Sequence, residues 1–133
     1  MKLTARSEYA LLALVYLARN YSQEYITTER IAQAQDIPRK FLEQILLTLK
    51  RARYLRSFKG QHGGYQLAKS PQEINIAEIV RLCDGALAPT ESVSQFFYEK
   101  TPLEREGKLL RIFRDIRDYA AEKLESTTIA DVS

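Results

Sequence analysis

Cysteine and histidine each occur once in this 133-residue chain, and glycine only five times. A single thiol, Cys83, excludes an intramolecular disulfide and points to a reducing, cytoplasmic setting. One Cys with one His also argues against a self-contained structural zinc site. Apolar runs are short. None approaches the ~18 residues of a membrane span. The N-terminus lacks the apolar core and small-residue cleavage site of a signal peptide, so no membrane partner is expected. No nucleophile–base pair, paired-carboxylate site or metal-ligand cluster stands out, and the chain is not expected to be an enzyme. The remainder is ordinary for one soluble domain, or one domain plus an interaction helix: 45% hydrophobic and 28% charged residues are enough to build and solvate one core.

What the sequence does have is positive charge in one place. Residues 37–69 carry Arg39, Lys40, Lys50, Arg51, Arg53, Arg56, Lys59 and Lys69 against one acid, Glu43, a local net of +7. The whole chain is only +3, so everything outside that stretch is net −4. A positive field concentrated on one segment of an otherwise acidic protein points to a polyanionic partner. The same stretch has a shape. Pro38 suits the first turn of a helix, and Phe41, Leu42, Ile45, Leu46 and Leu49 then give one apolar face. An alternating run, 54–58, follows, then the turn Lys59-Gly60-Gln61-His62-Gly63-Gly64, then a second short strand, 65–67. A helix of about 38–51 followed by a basic-tipped hairpin of about 55–67 is the plan of a winged helix-turn-helix. In that plan the helix enters the major groove of double-stranded promoter DNA, and the hairpin tip touches the backbone or minor groove.

Around this stretch the elements are helical. Thr4 caps a first helix to about Asn20, with Tyr9, Leu12, Ala13, Tyr16 and Leu17 as its core stripe. Residues 21–25 form a polar connection. Thr27 or Thr28 caps a second helix, 29–35, with Ile31 and Ala34 inward, and Asp36 makes the left-handed turn. Asn75 caps a fourth helix, 76–84, stopped by Gly85. A loop follows, then a short helix over 92–100. Pro102 opens a long helix to about 125, in which Leu103, Leu110, Phe113, Ile116, Ala120 and Leu124 repeat at helical spacing over about 22 residues, roughly 33 Å. So long a stripe needs cover, and a second copy is its natural source: a homodimer. Residues 127–133 read as a frayed tail. The organisation expected is a DNA-binding unit over 1–85, a linker over 86–101, a dimerisation helix over 102–126 and a tail; the fold class is mainly α with a small β-hairpin.

Several segments now resemble a known family. Met1-Lys2-Leu3-Thr4 with Tyr9-Ala10, Ile37 with Phe41-Leu42-Glu43-Gln44-Ile45-Leu46, Lys59-Gly60-x-x-Gly63-Gly64-Tyr65-x-Leu67 and Ile76-Ala77-Glu78-Ile79-Val80 resemble the bacterial IscR-type regulators, which include NsrR and CymR. The resemblance covers about 1–85 closely and the rest only as a loop followed by a long helix. It implies a dimeric winged-helix transcription regulator that binds near-palindromic promoter sites, in a family many of whose members carry an iron–sulfur cluster as sensor. Cluster-bearing members place three cysteines in the loop before the long helix. Here that loop has none, Ser92 lies about where the first belongs, and Cys83 falls earlier, on the apolar face of the fourth helix. One thiol per subunit does not build an ordinary cluster. A cluster ligated by Cys83 with Glu91 or His62 is the disfavoured alternative. Asp36 also departs from the family's usual Gly.

The residues expected at the DNA are therefore Arg39, Lys40, Glu43, Gln44, Arg51, Lys59, Gly60 and His62. Lys40 is the leading base contact, with Arg39 on a base or phosphate. Glu43 either accepts from cytosine or pairs with a neighbouring cation, and Gln44 either reads adenine or is merely exposed. Arg51, Arg53 and Arg56 are expected on phosphates. Cys83 reads as a small core residue. A regulator, with repression the expected sign, leads the reading; an adaptor using the long helix to bind another protein is the alternative from a different class.

Overall fold

The computed structural model describes residues 1–21 and 24–133, so the 21–25 connection falls partly outside the described residues. Helix α1 (Ala5–Arg19) starts where Thr4 accepts the Ser7 amide. It buries Ala10, Ala13, Leu14 and Leu17. Leu12, expected on that stripe, is exposed, while Ser7 takes a buried place. Helix α2 (Thr28–Gln35) starts at Thr27, whose hydroxyl accepts the Arg30 amide. Ile31 is its buried residue, and Ala34 points outward instead of inward. Asp36 adopts φ 53°, ψ 51°, the left-handed turn expected of it. The Ile37 amide then reaches back to the Ala32 carbonyl (3.0 Å) and starts α3 (Arg39–Arg51) across a tight corner.

Strand β1 (Leu55–Phe58) pairs antiparallel with β2 (Gly64–Leu67), with Leu55 opposite Leu67 and Phe58 opposite Gly64. Leu42, Ile45, Leu46 and Leu49 of α3 join Ile26, Ile31, Leu55 and Leu67 in one core under the hairpin. Burying a Leu or Ile side chain contributes about 1.5–3 kcal/mol, so this layer fixes α3 against the hairpin. Helix α4 (Ile76–Asp84) opens with a reciprocal cap between Asn75 and Glu78. A second, smaller core joins Ala77, Val80 and Leu87 to Ala121.

The C-terminal third departs from expectation in three places. The expected helix over 92–100 is only a 3-10 turn, Glu91–Val93. Its hydroxyls are engaged elsewhere: Ser92 accepts from Thr101 (2.7 Å) and lies 3.4 Å from Thr90, both outside the segment, and Ser94 accepts the Phe97 amide (3.0 Å). Side chains of this kind compete with helical backbone bonds. The long helix begins not at Pro102, which starts a 3-10 turn (Pro102–Arg105), but as α5 (Gly107–Glu125). The tail is not frayed. Helix α6 (Ile129–Val132) follows a bridge of Thr128 to Asn75, and Ile129 is fully buried in the main core.

Candidate nucleic-acid interface

Opposite the buried face of α3, the side chains of Arg39, Lys40, Glu43, Gln44, Leu47, Lys50 and Arg51 are exposed. At 100° per residue these positions share one outward face, so the fold that buries Leu42, Ile45, Leu46 and Leu49 necessarily presents them together. Their charges are not equally available. Arg39 pairs with Glu29 of α2 through a terminal guanidinium nitrogen and with Glu43 one turn on through Nε (3.3 Å). Among the described residues Lys40 has no ion pair or hydrogen bond. Glu43 is thereby paired with a neighbouring cation on the exposed face of α3. Its charge also reaches the hairpin: the Tyr65 phenol is pushed up, by burial first and then by Glu43. Farther along α3, the Thr48 hydroxyl accepts from Arg6 (3.0 Å) and donates to the Gln44 carbonyl (3.1 Å).

The hairpin tip projects Lys59, Gly60, Gln61 and His62 into solvent. Its glycines have distinct tasks. Gly60 sits at φ 118°, where L side chains are strained. At Gly63 a Cβ would lie 2.3 Å from the Phe58 carbonyl oxygen, and at Gly64 2.3 Å from that of Ile26. Arg56 donates to the Ala68 carbonyl (3.3 Å), and Lys69 stacks over the Tyr54 ring at 4.7 Å, so two cations of the basic stretch also brace the hairpin.

The long helix presents a second exposed surface. Leu109, Ile112, Ile116 and Tyr119 are exposed, Ile112 by 56% and Tyr119 by 73%. Of the expected stripe, Ile116 lies on that face, Leu103, Leu110, Phe113 and Ala120 are partly covered, and Leu124 packs on the chain's own second core. Sequence reasoning missed Leu109, Ile112 and Tyr119, although their three-and-four spacing was available to it. It also missed Glu29 and Arg6, which reach α3 from other helices.

A family model described as Rrf2, iron-dependent transcriptional regulator, matches residues 3–133. The chain belongs to the Rrf2 family. An rrf2-like HTH-type regulator of Rhodobacter capsulatus is 41% identical over 136 residues, covering 98% of this chain and 91% of its own. The solved structure of CymR, the global cysteine regulator of B. subtilis, superposes with TM-score 0.80 at 28% identity, over 99% of this chain and 95% of that one. IscR of T. potens shares the fold, with TM-score 0.77 at 23% identity over 99% and 85% of the two chains. The Rrf2 assignment makes this chain a DNA-binding transcription regulator of winged-helix fold, with the β1–β2 hairpin as its wing. Among the described residues no helix is long and apolar enough to cross a membrane.

The family description implies iron, and the donor set here does not fit a thiolate-ligated cluster. Cys83 is half-buried and packs on the main core. Burial pushes its thiol up, against the lowering influence of Arg6. The loop of Thr90, Ser92, Ser94 and Thr101 offers hydroxyls already engaged with one another or with backbone. Among the described residues no group of three His, Cys, Asp or Glu side chains converges.

Proposed function

We propose that this Rrf2 regulator acts as a homodimeric repressor that reads two half-sites of promoter DNA with α3 in successive major grooves and the wing tips alongside. The observation that carries the reading is the shared exposure of Lys40 and Gln44 on α3 and Lys59 and His62 on the wing, over one buried core. In this reading Lys40 contacts a base edge, Gln44 reads adenine, and Arg51, Lys59, His62 and the Gly60 backbone hold phosphate or minor groove. The apolar face of α5 supports the dimer. Leu109, Ile112, Ile116 and Tyr119, flanked by Leu110 and Phe113, meet the same face of a second copy about a two-fold axis. Two copies so joined place two α3 helices for two half-sites. A dimer seated on a promoter excludes polymerase, which gives repression. The helix bundle and wing operate without an iron–sulfur cluster in this reading.

The test separates the two surfaces. Lys40→Ala with Lys59→Ala is expected to weaken binding to the selected operator at least tenfold while sedimentation still shows a dimer. Ile112→Asp with Ile116→Asp is expected to yield monomers. Retained operator affinity in the lysine double variant would remove the interface assignment. A promoter–reporter strain lacking the protein should show raised expression; lowered expression would reverse the sign.

A further inference from the structure

The Arg39 guanidinium is held between carboxylates from two different helices. Glu29 lies in the first turn of α2, whose start is fixed by the Thr27 cap. Arg39 is the first residue of α3, placed by the left-handed Asp36 and by Pro38 at φ −58°. Glu43 approaches the same guanidinium from one turn farther along α3. The helix-turn-helix corner therefore fixes both backbones, and the two acids engage two of the three donor nitrogens, one terminal and Nε, with which an arginine would grip a phosphate or guanine. All three side chains are more than half exposed, so the pairing is held in water and is weak enough to exchange.

We propose that Glu29 sets the sequence specificity of this protein by competing with DNA for Arg39. Closed on Glu29, the guanidinium is withheld from phosphates, which every DNA sequence offers equally. Only a site whose base edge or phosphate path meets Arg39 in its aimed position replaces the carboxylate. Without Glu29 only Glu43, one turn along the same helix, still pairs with Arg39 through Nε, and the terminal nitrogen that Glu29 held can take any phosphate, so affinity for random DNA rises more than affinity for the operator. Glu29 is a positioning residue here; it acts through Arg39 and rests on the reading of α3 as the recognition helix.

The experiment starts from the full-length protein and a random-sequence DNA pool. The wild type selects its preferred duplex, and affinity is measured for that duplex and for a scrambled one of equal length, across a salt series. Glu29→Gln is expected to lower the ratio of the two affinities about fivefold to tenfold, the scale of one specific arginine contact. On scrambled DNA its slope of log affinity against log salt is expected to steepen by about 0.9, one added phosphate contact. Removing a negative charge alone would raise both affinities together and leave the ratio unchanged. In an Arg39→Ala background, Glu29→Gln is expected to leave the ratio unmoved. An unchanged ratio in the single variant, with operator binding intact and the same melting temperature, overturns the role of Glu29. If the wild type instead selects its duplex and Lys40→Ala with Lys59→Ala does not weaken it, the α3 reading itself fails, and this inference with it.

Discussion

Ile26 and Tyr65 exchange two backbone hydrogen bonds: the Ile26 amide donates to the Tyr65 carbonyl and the Tyr65 amide to the Ile26 carbonyl, both at 2.8 Å. The connection between α1 and α2 is thereby stitched to β2 as a short third rung. The wing is carried by the helix-turn-helix core rather than hanging from it.

That stitch depends on Gly64, whose φ is 146° and whose missing Cβ leaves room for the Ile26 carbonyl. Gly64→Ala is expected to destabilise the protein by about 2 kcal/mol or more, because strain and a backbone clash act together. Urea unfolding measures this. A variant within about 0.5 kcal/mol of wild type would mean that the Ile26 rung is dispensable.

The C-terminal helix should prove part of the fold. The Ile129 amide donates to the Ile74 carbonyl (2.8 Å), and the Ile76 amide to that of Thr127 (2.9 Å). Ile129→Ala is expected to cost about 2–4 kcal/mol, as for other large-to-small changes in a core. Hydrogen exchange at the Ile129 amide should be slow. Exchange at the rate of a free tail would count against docking.

Alkaline pH should loosen the junction of α4 with the hairpin. Tyr54 donates to Glu78 (2.8 Å), and its phenol is pushed above its ordinary value of 10.0 by burial first and then by that carboxylate. A raised value in the fold means that the contribution to stability is complete below pH 10 and is lost as the pH rises above it. The wild type should therefore lose stability between pH 9 and pH 11 more steeply than Tyr54→Phe. Parallel urea midpoints for the two proteins over that range would show that Tyr54 has no such role.

Cys83 should be slow to react. Half-burial against the main core pushes its thiol up, so only a small fraction is the reactive thiolate. With Ellman's reagent near pH 8 the folded protein is expected to react about tenfold or more slowly than the same protein in urea. Equal rates would reopen a redox role for this residue.

Much of the α3 surface was legible because it is local. A helix with Leu42, Ile45, Leu46 and Leu49 inward must carry Arg39, Lys40, Glu43 and Gln44 outward, whatever it packs on. The caps at Thr4, Thr27 and Asn75, the turn at Asp36 and the glycine turn at Gly60 and Gly63 follow from the same short-range rules. Over 92–100 local reasoning failed: apolar Phe96 and Phe97 suggested a helix, but the Phe97 amide goes to the Ser94 hydroxyl and Ser92 bonds the Thr101 side chain.

The sequence by itself determined the order and type of the principal elements, the basic helix and hairpin, and the shortage of thiols that a cluster needs. These are set by periodicity, capping and composition, which act over a few residues. Only the tertiary structure decided that Ile26 braces the wing, that Ile129 closes the core, that Glu29 holds Arg39, and which side of α5 stays uncovered. Each of these joins residues at least ten positions apart or depends on which neighbours pack against a face. Their energy exists only once the chain has closed the loops between them.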